Sequence, residues 1–547
     1  MIIETNLYDS MSPDEPGGVV SPMKKRIAFG GIFAGILAIS STASPALEKA
    51  TRSEVSAAPE AHANSGIWFH GSVAEALAAA KKRDRPLFLY WGATWCPPCN
   101  ALKAEVFSNP RFGELMKSFV AVYLDGDTDQ AQSWGERFHV SGYPTILVLN
   151  SQGAELTRIV ESVSFAEFDE GVRAALVSKR PIAETLELAK SGHASEGDWQ
   201  LLALLPLNDV PDLKLTAEQK LLAQRELADA APQSPPQVRS ILAARLLEMA
   251  AAAQSDVAKA IAADIRKNSK IYIDRFFASQ STRRAARATI AAQSQEVIDW
   301  LQPDKKSHDY HQLRNRWLRA AAEISADRSL ATDLRLMAAH PEYVFSRYER
   351  GTTKPILPAI RSRIIREVRA ADARAKTSYE RHSALPTAVE LLMMVGETKQ
   401  ARALLDRELA TSDTPWFYEG IYSRLEKNAG NENAAMEWSR KARLSVKGRS
   451  TKLQWIVFDM MTTANAKTKD ESRLAEIATN YYETAFGLDD GFSGRNAKQA
   501  KSVAKLLKPV AKTESVAKVV AAFSAACEEG KSKDGKKCTD HFATLSE

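Results

Sequence analysis

The chain has 547 residues, 45% of them apolar and 26% charged, and its 73 basic and 67 acidic side chains leave a net charge of +6. That balance excludes a wholly disordered chain and gives no support to nucleic-acid binding, while the length allows two to four domains around a large buried core. Four cysteines, Cys96, Cys99, Cys527 and Cys538, fit either a reducing or an oxidising compartment until the N-terminus is read.

In chain order, residues 1–22 carry Pro13, Pro16 and Gly17-Gly18 ahead of a second methionine, Met23, and are expected to be an upstream extension from a misassigned start. Residues 23–46 have the three-part layout of a secretory signal: Lys24-Lys25-Arg26, an apolar run from Ile27 to Ile39, and the small residues Ser40 to Ala46. The run is about 13 residues, short of the roughly 20 that span a bilayer, so no stable span is expected once the signal is removed. Removal of residues 1–46 takes away Glu4, Asp9, Asp14 and Glu15 and three cations, moving the charge from +6 to about +7. The expected location is the periplasm or the exterior. Residues 47–65, rich in Ala, Ser, Glu and Pro, read as a linker.

Alternating elements follow over 66–180. Val73, Ala76, Leu77 and Ala80 share a helical face behind the capping pair Ser72 and Glu75. Pro86–Trp91 predicts a buried strand, Asn100–Phe107 a helix, Phe119–Leu124 a second strand, and Gln130–Phe138 a helix. Val140–Leu149 predicts a strand, Asn150–Gly153 a hairpin turn into Leu156–Val160, and Phe165–Val177 a last helix. The order implies a small mixed sheet with helices on both faces. Cys96 and Cys99 stand at the turn from the first strand into a helix, where free N–H groups and the positive helix end favour a thiolate, the species that attacks disulfides. A zinc site needs four ligands, and no second close pair lies in the domain. A stapling disulfide is the remaining alternative use of the pair.

Trp95-Cys96-Pro97-Pro98-Cys99, followed about 45 residues later by Gly142-Tyr143-Pro144-Thr145 before an apolar strand, resembles the thioredoxin fold. With Phe107-Ser108-Asn109-Pro110, the stretch Trp68–Val177 is most similar to secreted thioredoxin-like domains and to the C-terminal periplasmic domain of the disulfide-interchange reductase DsbD. The resemblance implies Cys96 as nucleophile, Cys99 as resolving thiol, and Pro144 as a cis-proline that, with Trp95 and Tyr143, holds an extended substrate. It implies protein thiols or disulfides as partners, a membrane-borne electron donor among the candidates, and chemistry that calls for no cofactor or metal. One position departs from the pattern. Where many relatives carry a buried acid six residues before the first cysteine, this chain has Tyr90, a poor base near neutrality with a reference pKa of ~10, so Asp125 or water would have to take its place. Tyr90 itself reads as a core-facing aromatic.

Beyond Arg180 the pattern turns all-helical, with amphipathic segments at Thr216–Ala230, Val238–Ile265, Thr282–Leu301 and Tyr310–Ile324 and breaks at Pro232–Pro236, Pro303, Gly351–Pro358 and Thr411–Pro415. Leu391, Gly396 and Ala401 recur 34 residues later as Leu425, Gly430 and Ala435, the period of tetratricopeptide units. Residues 181–547 are therefore expected to be a solenoid-like helical-repeat region or an irregular bundle, with Trp416, Phe417, Tyr418 and Trp438 in its core. Cys527 and Cys538 flank a polar loop and are expected to form a structural disulfide worth about 2–3 kcal/mol, a second redox pair being the alternative. The expected whole is an exported thiol-disulfide oxidoreductase with a helical partner-binding adaptor. The competing reading is an interaction scaffold with little or no turnover.

Overall fold

The computed structural model describes residues 65–546 apart from 211–212, 231–233, 352 and 468–469. The expected extension, export signal and nearly all of the linker lie outside the described residues. The first unit runs α1 (Val73–Arg83), β1 (Leu87–Gly92), α2 (Pro97–Leu102), α3 (Pro110–Met116), β2 (Val120–Asp125), α4 (Asp129–Arg137), β3 (Thr145–Leu149), β4 (Glu155–Ile159) and α5 (Phe165–Ser178). Ser72 and Glu75 close a capping box at α1, and Ser164 and Glu167 another at α5, so both helices begin where the local sequence satisfies their free N–H groups.

The sheet order is β2-β1-β3-β4, with β1 parallel to β2 and antiparallel to β3. Every residue of β1 is buried. Phe88 and Tyr90 meet Phe112 of α3 and Phe168 of α5 in one core, whereas Leu87, Leu89 and Trp91 point to the other, with Val73 and Ala76 of α1 and Ala131 of α4. Coverage of both faces is why the strand reads as a continuous apolar run.

Two boundaries and one helix differ from what the sequence implies. The helix after the cysteines starts at Pro97, because prolines are tolerated in a first turn, and passes after Leu102 into a single π-helical turn over Lys103–Phe107. The strand expected from Val140 begins only at Thr145: His139 has φ 52°, in the left-handed region that turns the chain, and residues 140–144, with a cis Tyr143-Pro144 bond, form a loop. Helix α3 was not expected; Asn109 caps it and Pro110 occupies its first turn.

From Ile182 onward the described residues outside the turns and loops are helical. The segment expected over Val238–Ile265 is two helices, Pro236–Ala251 and Asp256–Lys267, because Ser255 caps a new start; Thr282–Leu301 is divided among three short helices. The region also has two cores rather than one. The first, from Ile182 to Phe345, is separate, while residues from Leu336 to Leu545 share a core with the Leu87, Leu89 and Trp91 face of the sheet. The 34-residue repeat is a repeat in space as well. Gly396 and Gly430 have φ of 78° and 80°, a conformation that favours glycine, and each joins a helix pair: Ser378–Met394 with Thr398–Thr411, and Pro415–Asn428 with Glu432–Ser445. Trp416, Phe417 and Tyr418 are buried, and Trp438 is half-buried with its ring stacked on Tyr422 at 4.4 Å.

Candidate functional site

Cys96 is the N-cap of α2 and is disulfide-bonded to Cys99, the two Cα atoms lying 5.2 Å apart. The Cys99 N–H donates to Cys96 Sγ at 3.2 Å, the one hydrogen bond that a capping side chain makes to a free helix donor. Asn100 holds the turn from below by donating to the carbonyls of Thr94 at 2.9 Å and Cys96 at 3.0 Å. Thr145 pairs with Trp91 in the sheet register, so Pro144, immediately before β3, and the turn that carries Cys96, after β1, lie at the same end of the two central strands. Sequence-predicted Trp95, Cys96, Cys99, Tyr143 and Pro144 thus come together. Cys527 and Cys538 are bonded to each other far along the chain, with Cα atoms 5.8 Å apart.

Asp127, in the turn after β2, orders one side of the site. Its Oδ2 accepts from Trp95 Nε1 at 3.0 Å, and the Trp95 ring stands edge-on to Tyr143 with centroids 6.5 Å apart. Tyr143 in turn donates its hydroxyl to the Gly126 carbonyl at 2.9 Å and accepts from Gln132 Nε2 at 2.8 Å. A Cβ at Gly126 would overlap the Tyr143 ring, so only glycine permits this approach.

Beneath α2 lie Tyr90, Asp125 and Lys103. Tyr90 is fully buried against Phe107 (4.8 Å), Tyr123 (5.4 Å) and Trp68 (6.3 Å), its hydroxyl has no hydrogen-bond partner, and burial pushes that phenol far above its ordinary range. It is a packing aromatic, as expected, and not a base. We expect Tyr90→Phe to hold or raise stability by up to about 2 kcal/mol, because an unsatisfied buried hydroxyl is removed; thermal unfolding of the variant checks this.

Asp125, opposite Gly92 at the end of β2, is pushed up to about 6 by burial and by the neighbouring charge of Asp127, against the opposing Asp127 N–H bond and the charge of Lys103. Lys103, buried one helical turn beyond Cys99, is lowered to about 8 by burial, which Asp125 opposes. Because the folded protein holds the Asp125 proton up to about pH 6 while the unfolded chain releases it near 3.8, stability falls as pH rises through that interval. Asp125→Asn is therefore expected to gain stability over the wild type between pH 4 and pH 6 and to keep a gain of at most about 3 kcal/mol above it, as read by urea unfolding at several pH values.

The site is covered. Cys96 is 2% exposed and Cys99 fully buried, because the helix Ser378–Met394 packs on α2 and places Ala384, Leu385 and Ala388 in the core that contains both cysteines. A second helix, Arg449–Ala464, begins over the Asp127 loop, where Thr451 Oγ1 donates to Asp127 and Arg449 pairs with Asp129. Neither helix carries a sequence signal for this role, since their apolar residues look like those of any buried helix. No group of His, Cys, Asp and Glu suited to a metal ion and no helix long and apolar enough to cross a membrane occurs among the described residues.

A family model described as thioredoxin-like matches residues 68–151. A thioredoxin of Echinococcus granulosus is 30% identical over 86 residues, which is 16% of this chain and 75% of that protein. The thiol:disulfide interchange protein DsbD of Vibrio vulnificus is 32% identical over 98 residues, 17% of this chain and 16% of its own. The TPR repeat-containing thioredoxin TDX of Arabidopsis thaliana is 35% identical over 82 residues, 15% of this chain and 20% of its own. The chain therefore spans most of the first relative but a fifth or less of the other two.

Proposed function

Because the chain belongs to the thioredoxin-like family through residues 68–151, we propose that it is an exported thiol-disulfide oxidoreductase that exchanges the Cys96-Cys99 disulfide with cysteines of other proteins. The observation that carries this reading is the placement of Cys96 at the N-cap of α2, bonded to Cys99 and beside the Tyr143-Pro144 loop. In the reductive direction the Cys96 thiolate attacks a partner disulfide, forming the Cys96-partner bond and releasing one partner thiolate. Cys99, once deprotonated, attacks Cys96 Sγ, which restores the internal disulfide, frees the second partner thiol and completes a two-electron transfer. Oxidation of a dithiol partner is the same sequence reversed.

The Cys99 N–H and the helix end favour the Cys96 thiolate, and Asp125, pushed up to about 6 by burial and by the charge of Asp127, is our candidate, in place of an acid at position 90, for the proton of the resolving thiol. Trp95, Tyr143 and Pro144 are the proposed substrate contacts, and the helical hairpins are the proposed adaptor for a partner protein. Export rests on the basic-apolar-small pattern of residues 23–46.

The test is whether the purified full-length protein equilibrates a model protein disulfide with a glutathione buffer faster than the buffer alone, together with the N-terminal sequence of the protein recovered from the cell envelope. No acceleration at any poise overturns the activity, and an unprocessed cytosolic product overturns the export. The burial of Cys96 favours one second reading, an interaction scaffold with little turnover. That reading requires the Cys96→Ser variant to retain full biological function.

A further inference from the structure

Exchange requires a partner sulfur to line up with Cys96 Sγ, yet Cys96 keeps only 2% of its surface. Two different contacts join the helical region to this end of the domain. On α2 itself the cover is apolar and buried, the helix Ser378–Met394 lying along the cysteine helix. At the Asp127 loop the contact is polar and thin: Thr451 reaches the carboxylate that also holds Trp95, and Arg449 pairs with Asp129, both of the latter side chains being more than half exposed. Gly448 seats this end closely, since a methyl group there would lie 2.5 Å from Asp127 Cβ.

The seam beside that loop is not packed solid. A cavity of about 530 Å³ lies between Trp95, Gln132 and Tyr143 on one side and Trp455 and Phe458 on the other. The helix Arg449–Ala464 therefore meets this side through fewer packed side chains than the helix Ser378–Met394 brings to α2.

Resting on the reading of Cys96 as the exchanging thiol, we propose that the helices over 378–464 form a lid on the disulfide, latched at Asp127 and Asp129, and that a protein substrate reaches Cys96 when the latch side opens. The structure is the closed position. In it the enzyme is shielded from disulfides that cannot release the latch, and a partner able to do so gains access. The lid thus selects substrates by what they do to the seam as well as by redox potential.

The test alkylates the reduced full-length protein with N-ethylmaleimide or with a maleimide carrying a polyethylene-glycol chain, reads each rate at Cys96 by peptide mapping, and compares their ratio, which cancels changes in thiolate fraction. Gly448→Ala wedges the seam, and Arg449→Glu opposes Asp129 at an exposed position where folding is not at risk. Each is expected to raise the bulky-to-small ratio by about two- to tenfold, and Asp129→Arg combined with Arg449→Glu to return it to the wild-type value. A wild-type ratio already as high as that of the variants, or a charge swap that restores nothing, overturns the lid. Alkylation needs no turnover, so labelling that follows the latch in a protein that exchanges with no disulfide would overturn the oxidoreductase reading and leave the lid in place.

Discussion

Cys96→Ser is expected to lower disulfide exchange by on the order of a thousandfold or more, because it removes the N-cap sulfur that we propose forms the mixed disulfide. Cys99→Ser should behave differently. On the proposed mechanism it leaves the attacking thiol and its helix-end environment but removes the resolving one, so the first attack proceeds and turnover stops at the covalent stage. Steady-state rates for both variants with a protein disulfide, beside single-turnover kinetics for Cys99→Ser, distinguish the roles. Equal loss of the first step in both would mean that the two sulfurs act only as a bonded unit.

The second large effect concerns the scaffold. Asp459, fully buried on the helix Arg449–Ala464, accepts from Ser439 Oγ at 2.6 Å, Arg443 Nε at 2.8 Å and Arg473 Nη2 at 3.2 Å, and so ties together three successive helices, Glu432–Ser445, its own, and Glu471–Phe486. Arg443 is itself 4% exposed, and its other acidic partner, Glu476, is largely in solvent. Asp459→Ala strands a buried guanidinium, and we expect a loss of about 3–5 kcal/mol in denaturant unfolding. Asp459→Asn retains acceptor capacity and should lose less. Because this helix also carries the latch residues Arg449 and Thr451, the same substitution should loosen the cover over Cys96.

How much of this the sequence disclosed depended on whether the determinant was local. The sheet, α1, α4 and α5 were legible because Ser72 with Glu75 and the apolar runs of β1 and β3 report local capping and burial. The grouping of Trp95, Cys96, Cys99, Tyr143 and Pro144 was legible through the resemblance that the two separated motifs carry, and the register that sets β3 beside β1 is consistent with it. Helix α3 was hidden by its seven residues and an internal Gly113, too short for periodicity to speak. Helix limits after residue 236 were blurred because alanine-rich segments stay apolar on several faces, so only the Ser255 cap separates two of them. The cover was invisible for a deeper reason. Ala384, Leu385 and Ala388 announce that their helix is buried but not against what, and Asp127 looks like any turn residue until Trp95 and Thr451 are brought to it from either side of the molecule.

Trapping the covalent intermediate is the most direct test of Cys96 as the exchanging thiol. Cys99→Ser, reduced and mixed with an excess of a disulfide-bonded protein, should yield one reducible adduct per chain, mapped by mass spectrometry to Cys96, and Gly448→Ala should speed its formation. An adduct at Cys527 or Cys538 alone, or none under conditions where the reduced Cys96 thiol can be alkylated, would contradict it.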